Sequence, residues 1–220
     1  MARANTICVS VASIALFSIA TCVYGQSVAP DQLPTVGSPR ADYAGRGGPQ
    51  AARSVVRVGC DTGTGTGFVH KSGWVITAAH VVRDCGGSIV VLTAGGQSVS
   101  VKAVRKDDLL DLAILSTEKT LEGVRPLLLS TSTNFLIGSR VSTWGYPAGY
   151  GSPMPLLSVG YLAGVSQVKS EFGLSPPQWI VNGAFNSGNS GGPVISIEDG
   201  LVIGVVSRKL APPPGTWRLL

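Results

Sequence analysis

Three short segments of the sequence carry residues whose types and positions could support acid–base and nucleophilic chemistry. His80 follows small residues at the end of an apolar run, ITAAHVV, and an accessible imidazole can transfer protons near neutral pH. Asp111 begins the apolar run DLAIL, so its carboxylate should be buried and should need a partner such as an imidazole N–H. Ser190 lies in the turn NSGNSGGP, whose glycines can direct backbone N–H groups towards one point. Together they predict a serine nucleophile, a histidine base and an aspartate that orients the base.

Each of these residues also has a structural interpretation when it is taken alone. A single histidine is more often structural than catalytic, an aspartate at a strand end can cap a turn, and a turn rich in glycine, serine and asparagine is usually only a turn. The neighbouring Asp107 and Asp108 lie in a polar stretch and are interpreted as solvated loop acids. The catalytic interpretation therefore depends on the three segments occurring together.

Short strands separated by turns are the elements that must position these residues. The chain has 220 residues, of which 44% are hydrophobic and 13% charged, and it contains 29 glycines and 14 prolines. This composition argues against a disordered chain or a coiled coil and favours an all-β protein with a buried core. Short strands at even spacing indicate a sandwich or barrels. We predict strands at 54–58, 68–70, 74–77, 88–93, 98–104, 111–115, 140–144, 156–165, 178–181, 192–197 and 201–206.

The three segments follow one another in the order His, Asp, Ser, which is one of the known orders of the catalytic triad. The sequences ITAAHVV, DLLDLAIL and FNSGNSGGPVI resemble the signature regions of trypsin-like serine peptidases, and the closest resemblance is to bacterial HtrA/DegP-type protease domains. The sequences GTGTGFV, WGYP and GLVIGVVS fit the same family. The resemblance covers about residues 53–209. We expect no PDZ domain after it.

The resemblance implies an all-β, chymotrypsin-like fold of two antiparallel Greek-key β-barrels with the site between them. In that family pattern His80 would be the general base, Asp111 its orienting partner and Ser190 the nucleophile. The N–H groups of Gly188 and Ser190 would form the oxyanion hole. The implied substrates are polypeptides, and the implied chemistry needs neither a metal nor an organic cofactor.

The resemblance also describes the substrate pocket. It places Ala184 at the pocket base and Ser207 and Arg208 along the other wall. Because no acid stands at the base, we expect a small or medium apolar residue before the cut rather than lysine or arginine. Asn189 stands where digestive relatives carry an aspartate that pairs with a newly cut N-terminus. We expect its amide to hydrogen-bond neighbouring backbone instead, so that no such cut is needed.

The C-terminal end departs from the family pattern. Only 30 residues follow Ser190, and the ending, with three consecutive prolines, does not resemble the family's last strand or helix. We therefore expect either a second barrel that is truncated at its C-terminus or a sequence that is a fragment. The alternative function is a catalytically impaired protease-fold binding protein. A third interpretation, an esterase with the same triad, lacks the alternating helix pattern of an α/β-hydrolase.

The first 25 residues predict a secretory signal peptide, because a short positive start is followed by a charge-free apolar run. The cut would come after Ala20 or Gly25. The alternatives are an uncleaved membrane anchor and a lipid-modified N-terminus at Cys22. We therefore expect an exported protein, periplasmic or extracellular, with no stable membrane span after removal of the signal.

The rest of the chain divides into a linker and a peptidase domain. Residues 26–52 are rich in proline and glycine and predict a linker or a pro-segment. Residues 53–220 form the predicted trypsin-like peptidase domain. Barrel one is expected at about 53–125 and barrel two at about 135–220.

Because we expect the protein to be exported, the four cysteines can be divided into those lost with the signal peptide and those that remain. Cys8 and Cys22 would leave with the signal peptide, which leaves Cys60 and Cys85 as a pair in an oxidising compartment. We predict a disulfide between them, the alternative being two free buried thiols. No CxxC or HExxH motif suggests a metal site.

The charge distribution argues against nucleic-acid binding. The formal net charge is +5, from 17 basic and 12 acidic residues, and the basic residues are scattered along the chain. A nucleic-acid-binding protein gathers its basic residues on one face or helix. We therefore expect polypeptide partners and no nucleic acid.

Overall fold

The computed structural model describes residues 49–167, 169–170, 172–174 and 176–208. The predicted signal peptide, residues 26–48 of the predicted linker and the proline-rich ending from residue 209 lie outside the described residues. The described part is almost entirely β-structure, as the sequence predicts. Its elements are α1 Pro49–Ala52, β1 Val55–Cys60, β2 Gly63–Val69, β3 Val75–Ala78, α2 Ala79–Val82, β4 Val90–Thr93, β5 Ser98–Asp107, β6 Leu112–Thr117, β7 Arg140–Gly145, β8 Leu156–Ser166, β9 Lys169–Ser170, β10 Gly173–Leu174, β11 Gln178–Gly183, β12 Pro193–Ser196 and β13 Val202–Val205.

The first six strands form a closed antiparallel barrel in the order β1-β2-β3-β6-β5-β4. It closes because β1 pairs with both β2 and β4. Alternating β-branched residues on these strands point inwards and exclude water, which is the main stabilising contribution. The fully buried members of this core include Val56, Val58, Val75, Val91 and Leu115.

The later strands form a second antiparallel sheet in the order β11-β8-β7-β12-β13. Five strands of this sheet lie within the described residues. Among them, β11 and β13 do not pair with each other, so the sheet is not closed into a barrel. Val141, Leu162 and Val194 are its buried core, and Trp179 and Ile203 pack against them. A two-stranded sheet of β9 and β10 lies on the connection between β8 and β11.

A separate apolar cluster joins the barrel to the second sheet. Val55 and Phe68 of the barrel pack with Tyr146, Ile195 and Val202 of the second sheet and its connections. Strand β2 is buried on both faces from its third residue onwards because the second sheet covers its outer face. This arrangement brings the end of the barrel that carries β2 and β3 against the turn before β12.

Two short helices depart from the strand-only prediction. The last four residues of the predicted linker form α1, in which Ala51 and Ala52 are buried. The residues Ala79–Val82, directly after β3, form the single turn α2. None of the described helices has the length and apolar character that crossing a bilayer requires.

Candidate active site

Strand pairing brings His80 and Asp111 together although they lie 31 residues apart in the sequence. His80 is in α2, immediately after β3, and Asp111 immediately precedes β6. Strands β3 and β6 are antiparallel neighbours, with Ala78 opposite Leu112, so the end of one meets the start of the other. The ring Nδ1 of His80 lies 2.8 Å from Oδ2 and 3.1 Å from Oδ1 of Asp111. The backbone N–H of His80 donates to Oδ1 at 3.0 Å, which fixes the ring relative to the carboxylate.

Asp111 is buried, with 4% of its surface exposed, yet its carboxylate oxygens accept several hydrogen bonds. The hydroxyl of Ser207 donates to Oδ2 in addition to the two groups of His80. Burial by itself raises the pKa of Asp111, but the hydrogen bonds from His80 and Ser207 outweigh it and hold the pKa below its usual value. The carboxylate is therefore ionised at neutral pH. Asp111 has a left-handed backbone (φ 54°), a conformation that aspartate and asparagine adopt more readily than most residues.

Ser190 lies in the turn between β11 and β12, and it faces the same cavity as His80 and Asp111, which has a volume of about 470 Å³. Its hydroxyl donates to the carbonyl oxygen of Ser207 at 3.3 Å. Among the described side chains, no hydrogen bond joins this hydroxyl to the His80 ring. Gly191 follows with φ 86°, and an added Cβ would overlap the carbonyl oxygen of Thr66, so only glycine fits.

Two backbone N–H groups beside Ser190 have no hydrogen-bond partner among the described residues. The carbonyl of Ser187 accepts from Ala148 N at 2.7 Å, and the carbonyl of Asn189 accepts from Gly192 N at 2.9 Å. Across a trans peptide the N–H points away from the preceding carbonyl. These bonds therefore turn the N–H groups of Gly188 and Ser190 away from the underlying protein, where they are able to donate to a bound oxygen.

The predicted pocket residues are only partly brought to the cleft. Ser207 and Arg208 line it, whereas Ala184 lines neither of the two cavities described here. Phe185, the residue that follows Ala184, lines both cavities. The second cavity, of about 820 Å³, is mostly apolar and lies over the inner face of the second sheet. Sequence reasoning missed Phe185 because alignment to a motif assigns a position and not the direction of a side chain.

An ion pair at the cleft also escaped the sequence analysis. Asp108, interpreted there as a solvated loop acid, accepts from Arg83 Nε at 3.1 Å and lies 3.6 Å from Lys106 Nζ. The guanidinium of Arg83 stacks on the ring of Phe172 at 4.9 Å. Arg83, Asp108 and Phe172 therefore form one wall of the cleft that holds His80 and Ser190.

Asn189 is buried, with 1% of its surface exposed. We expected its amide to hydrogen-bond neighbouring backbone, but its Oδ1 has no partner among the described residues. This oxygen packs against Gly145, where an added Cβ would come within 2.7 Å of it. This oxygen therefore fills space beside the turn without accepting a hydrogen bond from the described residues.

A disulfide joins Cys60 and Cys85, with an S–S distance of 1.98 Å. It ties the end of β1 to the residues that follow α2, the helix that carries His80. The described residues bring together one group of three side chains of metal-binding type, Cys60, Asp61 and Cys85. Two of these are the disulfide sulfurs, which do not offer thiolates to a metal.

The sequence is similar to known peptidases. The family described as the trypsin-like peptidase domain matches residues 65–205. "Protease Do-like 1, chloroplastic" of Arabidopsis thaliana is 31% identical over 155 residues, which cover 68% of this chain and 34% of that protein. "Putative serine protease HhoA" of Synechocystis sp. is 31% identical over 150 residues, which cover 65% of this chain and 36% of that protein. The chain thus spans about a third of the length of these two curated relatives.

Solved structures show the same architecture. The crystal structure of Deg5 has a TM-score of 0.59 and 30% identity, and the match covers 72% of this chain and 81% of that one. The Rv3671c protease of M. tuberculosis H37Rv, solved in an inactive form, has a TM-score of 0.60 and 25% identity, with 72% and 81% covered. The fold is therefore chymotrypsin-like, which confirms the predicted fold class, with a closed first barrel and a curled second sheet. Because the family match at residues 65–205 spans more than half of the sequence, the chain belongs to the trypsin-like peptidase domain family, and its relatives are proteases of the HtrA/Deg type.

Proposed function

We propose that this chain is an exported serine endopeptidase that cleaves polypeptides through an acyl-enzyme intermediate. The observation that carries the proposal is the contact between His80 Nδ1 and the buried, ionised Asp111. The same cleft holds the Ser190 hydroxyl and two backbone N–H groups that have no partner among the described residues. Export is supported by the composition of residues 1–25, and the compartment we propose is the periplasm or the cell exterior.

Each residue has one role in the proposed reaction. Asp111 accepts from Nδ1 of His80, so the ring carries its proton there and leaves Nε2 free to accept. His80 takes the proton of the Ser190 hydroxyl as the oxygen attacks the peptide carbonyl, and later gives that proton to the leaving amine. The N–H groups of Gly188 and Ser190 donate to the oxyanion of the tetrahedral intermediate.

The proposed attack requires a change at Ser190. Its hydroxyl donates to the carbonyl of Ser207, so it must leave that bond to donate to Nε2 of His80. Catalytic hydrogen bonds in unliganded enzymes often form only when substrate binds. The alternative is a protease-fold binding protein, in which the bond from Ser190 to His80 never forms.

A serine-directed fluorophosphonate probe separates these two functions. The peptidase should label at Ser190 in a reaction that His80→Ala and Ser190→Ala both abolish, while His70→Ala labels normally. His70 is bonded to Ser72 and lies outside the cleft, which makes it the matched control. Absence of labelling in a folded wild-type chain would support the binding protein. Cleavage of a small ester without cleavage of casein would support an esterase.

A further inference from the structure

Thr66 of β2 makes four hydrogen bonds, and three of them reach the second sheet and its turns. It is fully buried. Its N–H donates to the carbonyl of Ser190 at 2.8 Å, and its hydroxyl donates to the carbonyl of Gly188 at 2.7 Å. The same hydroxyl oxygen accepts from the N–H of Tyr146 at 3.0 Å. Its own carbonyl accepts from the hydroxyl of Thr77 at 2.7 Å, which fixes Thr66 within the barrel.

These bonds meet where the Ser190 turn lies against the residues that follow β7. Gly188 has φ 93°, and an added Cβ would overlap the carbonyl oxygen of Tyr146 and lie 2.6 Å from Ala148 N. Ala148 N in turn donates to the carbonyl of Ser187, the bond that directs the N–H of Gly188. The Thr66 hydroxyl thus holds both sides of this contact, Gly188 on one side and Tyr146 on the other.

We propose that Thr66 is a positioning residue for the oxyanion hole, holding the N–H groups of Gly188 and Ser190 in place through the carbonyls of the same two residues. This inference rests on the proposed function, because it assigns Thr66 a role in the same acyl transfer. Thr66 touches neither substrate nor reacting atoms. It acts by fixing the peptide plane that follows each donor residue, which limits the direction in which the two N–H groups point towards an oxyanion.

Arg57 supports the same loop from the barrel side. Its Nη2 donates to the carbonyls of Tyr150 at 3.2 Å and Ser152 at 3.1 Å. Its guanidinium also stacks on the ring of Tyr146 at 4.9 Å. Residues 146–152 are therefore attached to the barrel at two points, by Thr66 near the turn and by Arg57 further along.

The test compares Thr66→Val, which keeps the shape and removes the hydroxyl, with Thr66→Ser, which keeps the hydroxyl. Thr93→Val is the matched control, since Thr93 is also buried in the barrel. Among the described residues, its hydroxyl accepts from Gln97 N at 3.1 Å and contacts neither the Ser190 turn nor the residues after β7. For each variant, kcat and KM on a small ester are measured per active site titrated with a burst reagent. The affinity for a peptide boronic acid, whose adduct places an oxygen in the oxyanion hole, is measured beside them.

We expect Thr66→Val to lower kcat at least tenfold with KM within about twofold, because losing one oxyanion donor outright costs about 100- to 1,000-fold. Boronate affinity should fall in parallel, while Thr66→Ser stays within about threefold of wild type in kcat. Thr93→Val should lower the melting temperature without changing kcat. A Thr66→Val variant that keeps wild-type kcat and boronate affinity per titrated site would overturn the inference.

A second variant keeps the proposal testable when Thr66→Val does not fold. Arg57→Met removes both hydrogen bonds to the Tyr150 and Ser152 carbonyls but keeps an apolar stem under Tyr146. We expect it to lower kcat roughly threefold to tenfold at unchanged KM, and an unchanged kcat would count against the inference. A wild-type chain with no titratable serine would overturn the proposed function itself. Wild-type turnover with fully active Thr66→Val would overturn only the role of Thr66.

Discussion

The hydroxyl of Ser207 donates a hydrogen bond to Oδ2 of Asp111, on a carboxylate that also accepts from the ring and the backbone of His80. The carbonyl of the same Ser207 accepts from the Ser190 hydroxyl at 3.3 Å. One residue at the end of β13 therefore contacts both the acid and the nucleophile of the proposed triad. Val206, the residue before Ser207, is held by two backbone hydrogen bonds. Gly191 N donates to Val206 O at 2.7 Å, and Val206 N donates to Gly192 O at 2.9 Å.

We predict that Ser207→Ala lowers kcat roughly tenfold with little change in KM, because a hydrogen bond to a charged group contributes about 1.5–3 kcal/mol. Without the hydroxyl, the pKa of Asp111 rises and the carboxylate holds the His80 ring less firmly. Steady-state kinetics on a peptide substrate measure the effect. Ser132→Ala, in an exposed loop, is the control and should match wild type. Equal kcat for Ser207→Ala and wild type would show that the hydroxyl has no role in holding Asp111.

The low pKa of Asp111 predicts how stability depends on pH. A carboxylate whose pKa is lower in the folded state stabilises the fold above its unfolded pKa, and this stabilisation is lost as pH falls through the folded pKa. The difference in the free energy of unfolding between wild type and Asp111→Asn should therefore be largest near neutral pH and shrink below about pH 4. Urea denaturation between pH 7 and pH 3 measures it. Asparagine tolerates the left-handed backbone at this position, so the substitution adds no backbone strain.

Asp84→Asn is the control for that series, since Asp84 is exposed and the structure gives it no ion pair among the described residues. Its stability difference from wild type should be small at every pH. A difference for Asp111→Asn that stays constant from pH 7 to pH 3 would show that the carboxylate is not selectively stabilised in its ionised form.

Gly188→Ala should abolish most of the activity while Gly73→Ala should not. Both glycines have positive φ, 93° and 82°, so both substitutions strain the backbone to a similar degree. Only at Gly188 does the new Cβ overlap other atoms, and those belong to the Tyr146–Ala148 segment; at Gly73 it meets nothing within 4 Å. We expect kcat per titrated site to fall about a hundredfold or more for Gly188→Ala, by loss of an oxyanion donor. Similar activity in the two variants would contradict the position we give to the Gly188 N–H.

Reduction of the Cys60–Cys85 disulfide should destabilise the protein. The bridge spans a sequence separation of 25 residues, and closing such a loop stabilises the fold by about 3 kcal/mol. Denaturant melts with and without a phosphine reductant measure the loss. The Cys60→Ala/Cys85→Ala double variant should match the reduced protein and should not respond to reductant. Two titratable thiols in the folded, non-reduced chain would show that the disulfide does not form in solution.

The sequence predicted the elements whose signal is local. Alternating β-branched residues predicted the strands of the barrel. Small residues indicated that His80 lies at the end of a strand, and glycines indicated the turn that carries Ser190. The burial of Asp111 followed from the apolar residues after it. Each of these inferences needs only a few neighbouring residues, because backbone conformation and side-chain alternation are decided at that range.

The residues that sequence reasoning missed act through contacts that are distant in the sequence. Thr66 is one threonine in a glycine–threonine run, and its contact with Gly188 joins residues 122 apart. Arg57 binds carbonyls 93 and 95 residues away. Ser207 was assigned to the pocket wall, and its bond to Asp111 depends on how β13 ends against the barrel. Pattern and motif do not encode which side chains meet across the two sheets.

Digestion of casein by the purified chain, beside Ser190→Ala, tests the central claim most directly. The account predicts that wild type produces peptides and that Ser190→Ala reduces the rate by about a thousandfold or more while keeping the wild-type melting temperature. His80→Ala should fall to a similar level, and His70→Ala should match wild type. Casein cleavage by Ser190→Ala at the wild-type rate would contradict the assignment of Ser190 as the nucleophile.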